Sequence, residues 1–385
     1  MKVTVSNIGR HWAFHLAREL DRRGLLARLI TGYPASRAVQ DGVDRSRVVS
    51  ILRFQAAQRL WSRLPGFLRR GWDPTARILE RYDRAAAALI PAGTTVFAGW
   101  GDVALHSFHR ARELGAKTVL ERGSTHVTVQ CALLREEYER AGITPDLPGP
   151  AAVERALAEY AAADRIAIPS AFVRRSFLAQ GVSEAKLIQV PYGVDLGRFA
   201  PPATPSPVFR VIFCGTLCVR KGVHYLLQAF HELALPGAEL WLIGPVAGEI
   251  RPALARWGGP AVRVLGTRAG PELVALYGQG SVFCLPSIEE GLAMVQAEAM
   301  ACGLPVICTT NTGGGDIVRE GVDGWVLPVR DVVALKEKIE LCWRDRERCA
   351  AMGRSAAVRA RDFGWGAYGD RMVAAYRDLV GERAA

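Results

Sequence analysis

The 385-residue chain is 50% hydrophobic and 23% charged, with 39 glycines and 21 prolines. That is too apolar for a disordered chain and too punctuated for a coiled coil or collagen. Its formal net charge of +11 is unevenly placed: residues 1–200 hold 29 Lys+Arg against 19 Asp+Glu, and the remainder 20 against 19.

At about 100–200 residues per domain, the length predicts two domains, each able to bury its own core. No apolar run reaches the roughly 18–20 residues of a membrane helix; the longest uncharged stretch, Ala85–Gly101, is broken by Pro91, Gly93 and two threonines. The start, Met1-Lys2-Val3-Thr4-Val5, reads as a strand without the apolar core of a signal peptide. A multispanning or secreted protein is therefore not expected. The eight cysteines form no CxxC pair, and Cys214, Cys284 and Cys308 lie in strand-like runs. Buried free thiols in a reducing cytoplasm are the expectation, and the Cys214/Cys218 spacing lacks the further ligands a metal would need.

In chain order, strands are predicted at Val3–Ser6, Leu26–Ile30, Thr95–Ala98, Lys117–Leu120, Arg165–Ile168 and Leu187–Val190, with amphipathic helices between them. This alternation implies a parallel sheet covered on both faces. Between Arg53 and Arg84 the positive charge is densest: Arg53, Arg59, Arg63, Arg69 and Arg70 interleave with Leu52, Phe54, Leu60, Trp61, Leu64, Phe67 and Leu68. The stretch suits the headgroup layer of an anionic membrane, and equally an ordinary solvated helix pair with one apolar side. No recognition motif accompanies the charge, so nucleic acid is not an expected partner.

The proline-rich stretch 201–207 marks a linker. Strands resume at Phe209–Cys214, Glu239–Ile243, Ala261–Leu265, Ser281–Leu285 and Pro305–Cys308. The predicted fold is α/β: two Rossmann-like domains, 1–200 and 208–362, sharing a cleft beyond the carboxyl ends of their strands. No internal repeat is visible.

The most informative segment is Leu285-Pro-Ser-Ile-Glu-Glu290-Gly-Leu-Ala-Met-Val-Gln-Ala-Glu298-Ala-Met-Ala-Cys-Gly303-Leu-Pro305. A buried strand ends at Pro286, and a helix is predicted over Leu292–Met300, whose free first-turn N–H groups form an anion site. Glu290 and Glu298 stand roughly 12 Å apart if the stretch is helical throughout. Two carboxylates so spaced can accept hydrogen bonds from both ends of one extended polyol.

Here the sequence resembles the retaining glycosyltransferase family 4, with the two-domain GT-B fold and a Glu-x7-Glu motif. The resemblance extends to Tyr192-Gly-Val-Asp195-x-x-Arg198-Phe199, Lys221-Gly222, Thr312-Gly-Gly-Gly-Asp316-Ile-Val, Gly321-x-x-Gly324 and Ser170-x-Phe-Val-x-x-Ser176-Phe, spanning about residues 160–330 in the family's order. It implies that Glu298 binds the nucleotide ribose and Glu290 lies beside the transferred sugar. It also implies that amides of Gly291, Leu292, Ala293, Met294 and Val295 meet sugar hydroxyls and diphosphate, and that Lys221 holds the leaving diphosphate. The family's arginine before that lysine is Thr216 in the run Gly215-Thr216-Leu217, so Arg220 either substitutes for it or is a solvated neighbour.

In the first domain, Gly9 after the first strand resembles the family's glycine loop against the diphosphate, and His126 the histidine that reaches the donor sugar. His11 and His15, spaced i,i+4, are flanked by Trp12 and Phe14, which favours a packed helix over a metal site. Thr267 and Arg268 follow a second-domain strand and are expected near the base. The run Phe363-Gly-Trp365-Gly-Ala-Tyr368 and the helix after it resemble the family's last helix, which crosses back onto the first domain over 363–385, with Gly364 and Gly366 allowing the bend. No Asp-x-Asp pair is present, and the family needs no metal or other cofactor.

The expected activity is retaining, metal-independent transfer of a hexose from a nucleoside-diphosphate sugar, such as a UDP-sugar, to a hydroxyl acceptor. That acceptor is acidic or lipid-linked, as in glycolipid or cell-surface polysaccharide synthesis, with the basic first domain resting on the inner membrane face; a soluble small-molecule acceptor is the other option. Three other classes stay open: a nucleotide-sugar epimerase of the same fold; a non-catalytic binding protein; and an NAD-dependent oxidoreductase, although Asn7-Ile-Gly9-Arg-His-Trp12 lacks the Gly-x-Gly-x-x-Gly that the last would need.

Overall fold

A computed structural model of the chain describes residues 1–10, 12–64, 74–145, 147–204 and 206–382. Valine- and isoleucine-rich runs form two parallel sheets. The first contains β1 (Val3–Asn7), β2 (Leu26–Thr31), β3 (Val48–Ser50), β4 (Val96–Trp100), β5 (Lys117–Glu121), β6 (Arg165–Ile168) and β7 (Leu187–Gln189), in the order β3-β2-β1-β4-β5-β6-β7. The second contains β8 (Arg210–Cys214), β9 (Glu239–Ile243), β10 (Val262–Gly266), β11 (Val282–Leu285), β12 (Val306–Thr309) and β13 (Gly324–Leu327), in the order β10-β9-β8-β11-β12-β13. In the first sheet Val5 of β1 sits between Leu29 and Ala98; in the second Ile212 of β8 sits between Trp241 and Phe283. Central strands β1 and β4 are buried at every position, as helices on both faces of a parallel sheet require. The two short edge strands β3 and β13 were not predicted.

Two boundaries bear on function. The helix expected from Leu292 begins at Met294 and runs to Ala301. The chain before it is held as a loop, with Glu290 N donating to Asn311 O at 2.8 Å and Ala293 N to Thr312 O at 3.4 Å. At the other end, the helix Arg346–Ala360 closes in a 3₁₀ turn, Arg361–Phe363, and the helix Trp365–Leu379 then lies on the first domain. Trp365 stacks on His15 with ring centres 4.0 Å apart, Asp370 pairs with Arg23 at 2.6 Å, and Val194 N donates to Phe363 O at 2.7 Å. Gly364 has φ −64°, open to any residue, so the 3₁₀ turn and not glycine freedom makes this bend.

The domains also touch directly. The first-domain helix Val127–Arg140 carries Glu137, which accepts from Tyr225 Oη at 2.8 Å and pairs with Arg330 at 2.6 Å. Asp316 accepts from Ala171 N at 3.0 Å and from Gln189 Nε2 at 2.7 Å. All eight cysteines are free thiols, and every one but Cys218 is buried. Among the described residues no helix is long and apolar enough to cross a membrane.

In the basic stretch, the helix Leu52–Arg63 turns Phe54 inward against Tyr82 and leaves Arg53 and Arg59 exposed beside Leu52 and Leu60, which are 48% and 67% exposed. Phe67, Leu68, Arg69, Arg70 and His11 lie outside the described residues.

Candidate active site

Loops at the carboxyl ends of β1, β4, β5, β8 and β11 enclose a cleft of about 420 Å³ between the domains, where open α/β sheets bind ligands. Its second-domain wall holds Gly215, Arg220, Lys221, Glu290, Leu292, Ala293, Met294, Val295 and Glu298. Gly291, between Glu290 and Leu292, comes so near the first domain that a Cβ on it would lie 1.8 Å from Gly123 O.

Lys221 is set by the 3₁₀ turn Val219–Lys221, closed by Gly222 in the left-handed region at φ +64°. A Cβ on Gly222 would fall 1.9 Å from Pro286 O, so glycine is required for conformation and for space. The Lys221 ammonium lies 2.6 Å from Glu290 Oε1. Arg220 is not a solvated neighbour: its guanidinium donates to Glu289 O at 3.0 Å, pairs with the Glu289 carboxylate at 2.9 Å and lies 3.8 Å from Glu290. Thr216 is exposed and outside the lining, so the cations of this wall are Arg220 and Lys221.

Glu298 projects from the second turn of the helix that begins at Met294, where first-turn N–H groups have no acceptor within the helix. Its carboxylate accepts from Tyr277 Oη at 3.4 Å, and burial pushes it up to about 7 against the pull of Arg198 and Tyr277.

Five sequence-derived residues do not join this lining: Gly291, which packs against Gly123, and His126, Gly9, Thr267 and Arg268. His126 is a structural cap: its Nδ1 accepts from Thr128 N at 3.3 Å at the start of the helix Val127–Arg140, and its ring packs on Tyr160 and Phe177. Burial, with Arg122 adding to it, pushes its imidazole down to about 4. Gly9 donates its N–H to Asn7 Oδ1 at 3.0 Å in a tight turn after β1; Trp12, further along that loop, is what reaches the cleft. Thr267 and Arg268 are exposed beyond β10, with Arg268 3.9 Å from Glu272.

Other functional residues escaped the sequence reading. Glu289 is fully buried and accepts from Thr125 N at 3.0 Å, Thr125 Oγ1 at 2.8 Å and Gln130 Nε2 at 3.1 Å across the domain boundary. Burial opposes its charge, but Arg220 and the Thr125 donors hold the carboxyl below its ordinary value. On the first-domain wall stand Trp12, Trp100, Glu121, Arg122 and Tyr192. Glu121 accepts from Trp12 Nε1 at 2.8 Å, and burial raises it to about 7. Its place as the last residue of β5 was the available signal. Among the described residues, no group of three or more His, Cys, Asp or Glu is arranged to hold a metal ion.

Comparison with known proteins agrees with this architecture. Residues 208–345 match the family model described as glycosyl transferases group 1. A GDP-mannose-dependent alpha-(1-6)-phosphatidylinositol monomannoside mannosyltransferase of Mycolicibacterium smegmatis is 32% identical over 236 residues, 55% of this chain and 61% of that protein. A D-inositol 3-phosphate glycosyltransferase of Catenulispora acidiphila is 29% identical over 255 residues, 60% of this chain and 61% of that protein. The matches thus span less than two thirds of these curated relatives: 61% in the Catenulispora protein and 42% in a putative colanic acid biosynthesis glycosyltransferase of Escherichia coli. In fold, sucrose-phosphate synthase from Thermosynechococcus elongatus superposes with a TM-score of 0.74 at 20% identity, covering 100% of both chains. Anabaena HepE in complex with UDP superposes with a TM-score of 0.70 at 15% identity, covering 98% of this chain and 100% of that one. Residues 208–345 are thus similar to the group 1 glycosyl transferases, and the whole chain shares the fold of two facing Rossmann-like domains with these solved structures.

Proposed function

We propose that the chain is a retaining, metal-independent hexosyltransferase that uses a nucleoside-diphosphate sugar. One observation carries the reading: a single wall of the cleft brings together Lys221 and Arg220, the carboxylates Glu290 and Glu298, and a helix start at Met294. Cations and unsatisfied N–H groups suit a diphosphate; carboxylates at either end suit hydroxyls of ribose and sugar.

In this reading Glu298 accepts from the ribose and Glu290 from the sugar. Lys221 and Glu290 are paired at 2.6 Å. A diphosphate competes for the ammonium, while sugar hydroxyls donate to the carboxylate so released. As the bond from the anomeric carbon to the phosphate oxygen breaks, negative charge grows on the diphosphate, where Lys221 and the helix start stabilise it. The acceptor oxygen bonds to the same face of that carbon, and its proton passes to the departing phosphate oxygen. Arg220, braced by Glu289, keeps Lys221 and the Glu290 loop in register.

The acceptor meets the first-domain wall. Exposed Leu52 and Leu60 beside Arg53 and Arg59 favour docking of this domain on an anionic membrane that carries a lipid-linked acceptor.

Calorimetric titration with a panel of nucleoside diphosphates and their sugars tests donor use. Glu290→Ala and Lys221→Ala are expected to lower transfer by about two to four decades in a folded protein. Near-wild-type turnover by both would remove the assigned roles.

A further inference from the structure

One first-domain helix grips the turn that carries Lys221 from behind. Val219, which opens the turn Val219–Lys221, is buried against Leu134 and Tyr138 of the helix Val127–Arg140. Glu249 bridges the same two elements: its Oε1 accepts from Tyr138 Oη at 2.9 Å and from Val219 N at 2.8 Å. Near the start of that helix, Thr125 and Gln130 donate to Glu289, which pairs with Arg220.

A further contact lies beyond the cleft. Glu137 is fully buried and does not line the cleft. Tyr225 Oη donates to it at 2.8 Å, His224 Nε2 lies 3.0 Å away, and Arg330 Nε donates at 2.6 Å. All three partners belong to the second domain. His224 and Tyr225 stand in the first turn of the helix Val223–Leu233, which starts directly after Lys221-Gly222. Arg330 reaches the boundary from a left-handed backbone, φ +69°, which a residue with a Cβ rarely adopts. Its Nη1 also donates to Glu136 Oε1 at 3.0 Å. Burial opposes the charge on Glu137, but His224, Arg330 and Tyr225 hold the carboxyl below its ordinary value.

A buried ion pair adds little net stability, because desolvation offsets the attraction. What three partners around one carboxylate do supply is a fixed register. Lys221 thus lies between residues anchored to the first domain on either side: Arg220 through Glu289, and His224 with Tyr225 through Glu137.

We propose that Glu137 is a positioning residue for Lys221: from the first domain it fixes the helix start on which the lysine's turn is mounted. This rests on the transferase reading above, in which Lys221 holds the diphosphate, and deepens it. The grip on the phosphates is built by residues of both domains, one of them outside the cleft.

The test is calorimetric titration of the full chain with UDP, GDP, ADP and dTDP, the tightest of which becomes the probe. Glu137→Gln keeps the shape and one acceptor oxygen but removes the charge. Tyr225→Phe, which deletes a single hydroxyl, carries the test alone if Glu137→Gln does not fold. Glu137→Gln is expected to weaken probe binding about tenfold and Tyr225→Phe about threefold. In a Lys221→Ala background each should change the affinity by less than about twofold, because the group they position is gone. A residue that merely held the domains together would weaken binding equally with and without the lysine. That equal weakening, or none from either variant, overturns the proposal alone. If the wild type binds none of the four diphosphates, the transferase reading falls and the proposal falls with it.

Discussion

Glu298 offers the sharpest quantitative test of the donor site. Its carboxyl is raised by burial to about 7, with Arg198 and Tyr277 pulling the other way. Hydroxyls of a bound ribose donate to the ionised form, so donor affinity follows the fraction ionised. With a midpoint near 7 that fraction is about nine-tenths at pH 8 and about one-tenth at pH 6, a loss of about tenfold in affinity over two pH units. The stability of the ligand-free fold has the opposite slope. A carboxyl whose folded pKa lies above its unfolded value contributes stability that is fully present below about pH 4.5 and is lost as pH rises through about 7. Glu121 and Glu159, likewise raised to about 7 by burial, act in the same direction. The assay is calorimetric titration with a nucleoside diphosphate across this range, on the wild type and on Glu298→Gln. The amide keeps a carbonyl acceptor but cannot titrate, so the variant should bind about tenfold more weakly at pH 8. It should retain only the pH dependence of the phosphate itself. Parallel pH profiles for the two proteins would refute the argument and move the ribose elsewhere.

Gly291→Ala should lower thermal stability by about 3 kcal/mol, at the upper end of overpacking costs because its Cβ meets the backbone oxygen of Gly123; an unchanged melting temperature would contradict the contact. If His126 is a cap, His126→Asn should hold transfer within a fewfold of wild type, while His126→Ala costs about 1 kcal/mol of stability. A hundredfold loss in a folded Asn variant would return the ring to the chemistry. Sedimentation with anionic liposomes at low salt should carry the protein down, and Leu60→Glu with Arg59→Glu should abolish this; equal sedimentation with neutral liposomes would remove the membrane docking.

What the sequence revealed depended on whether a signal was local. Arg165–Ile168 and Glu239–Ile243 are uninterrupted apolar runs after a charged first residue and were placed to the residue. β3 is only Val48-Val49-Ser50, and β13 opens on Gly324; each is an edge strand whose identity comes from its neighbour's pairing, not from a run of its own. In the site, Lys221, Glu290 and Glu298 were legible through a motif, and they share one wall of the cleft. Glu289 was not, because a carboxylate beside another looks solvated until Thr125 and Gln130 arrive from a segment more than 150 residues away. Trp12 was read as packing, and it does pack, but with its indole edge on Glu121 in the cleft. His126 misled for the converse reason: a position after a strand suggests a ligand, whereas the ring turns back onto its own helix.

The returning helix Trp365–Leu379 has a consequence for synthesis. Tyr376 is fully buried and reaches Glu121, and Trp365 stacks on His15, so side chains translated after residues 1–200 finish the interior of that half. As the ribosome emits residues 1–200, that half lacks part of its own interior until the helix Trp365–Leu379 emerges. Severing the gene at the proline-rich junction would accordingly yield a sticky, partly unfolded fragment, and co-expression of the missing piece should restore its solubility.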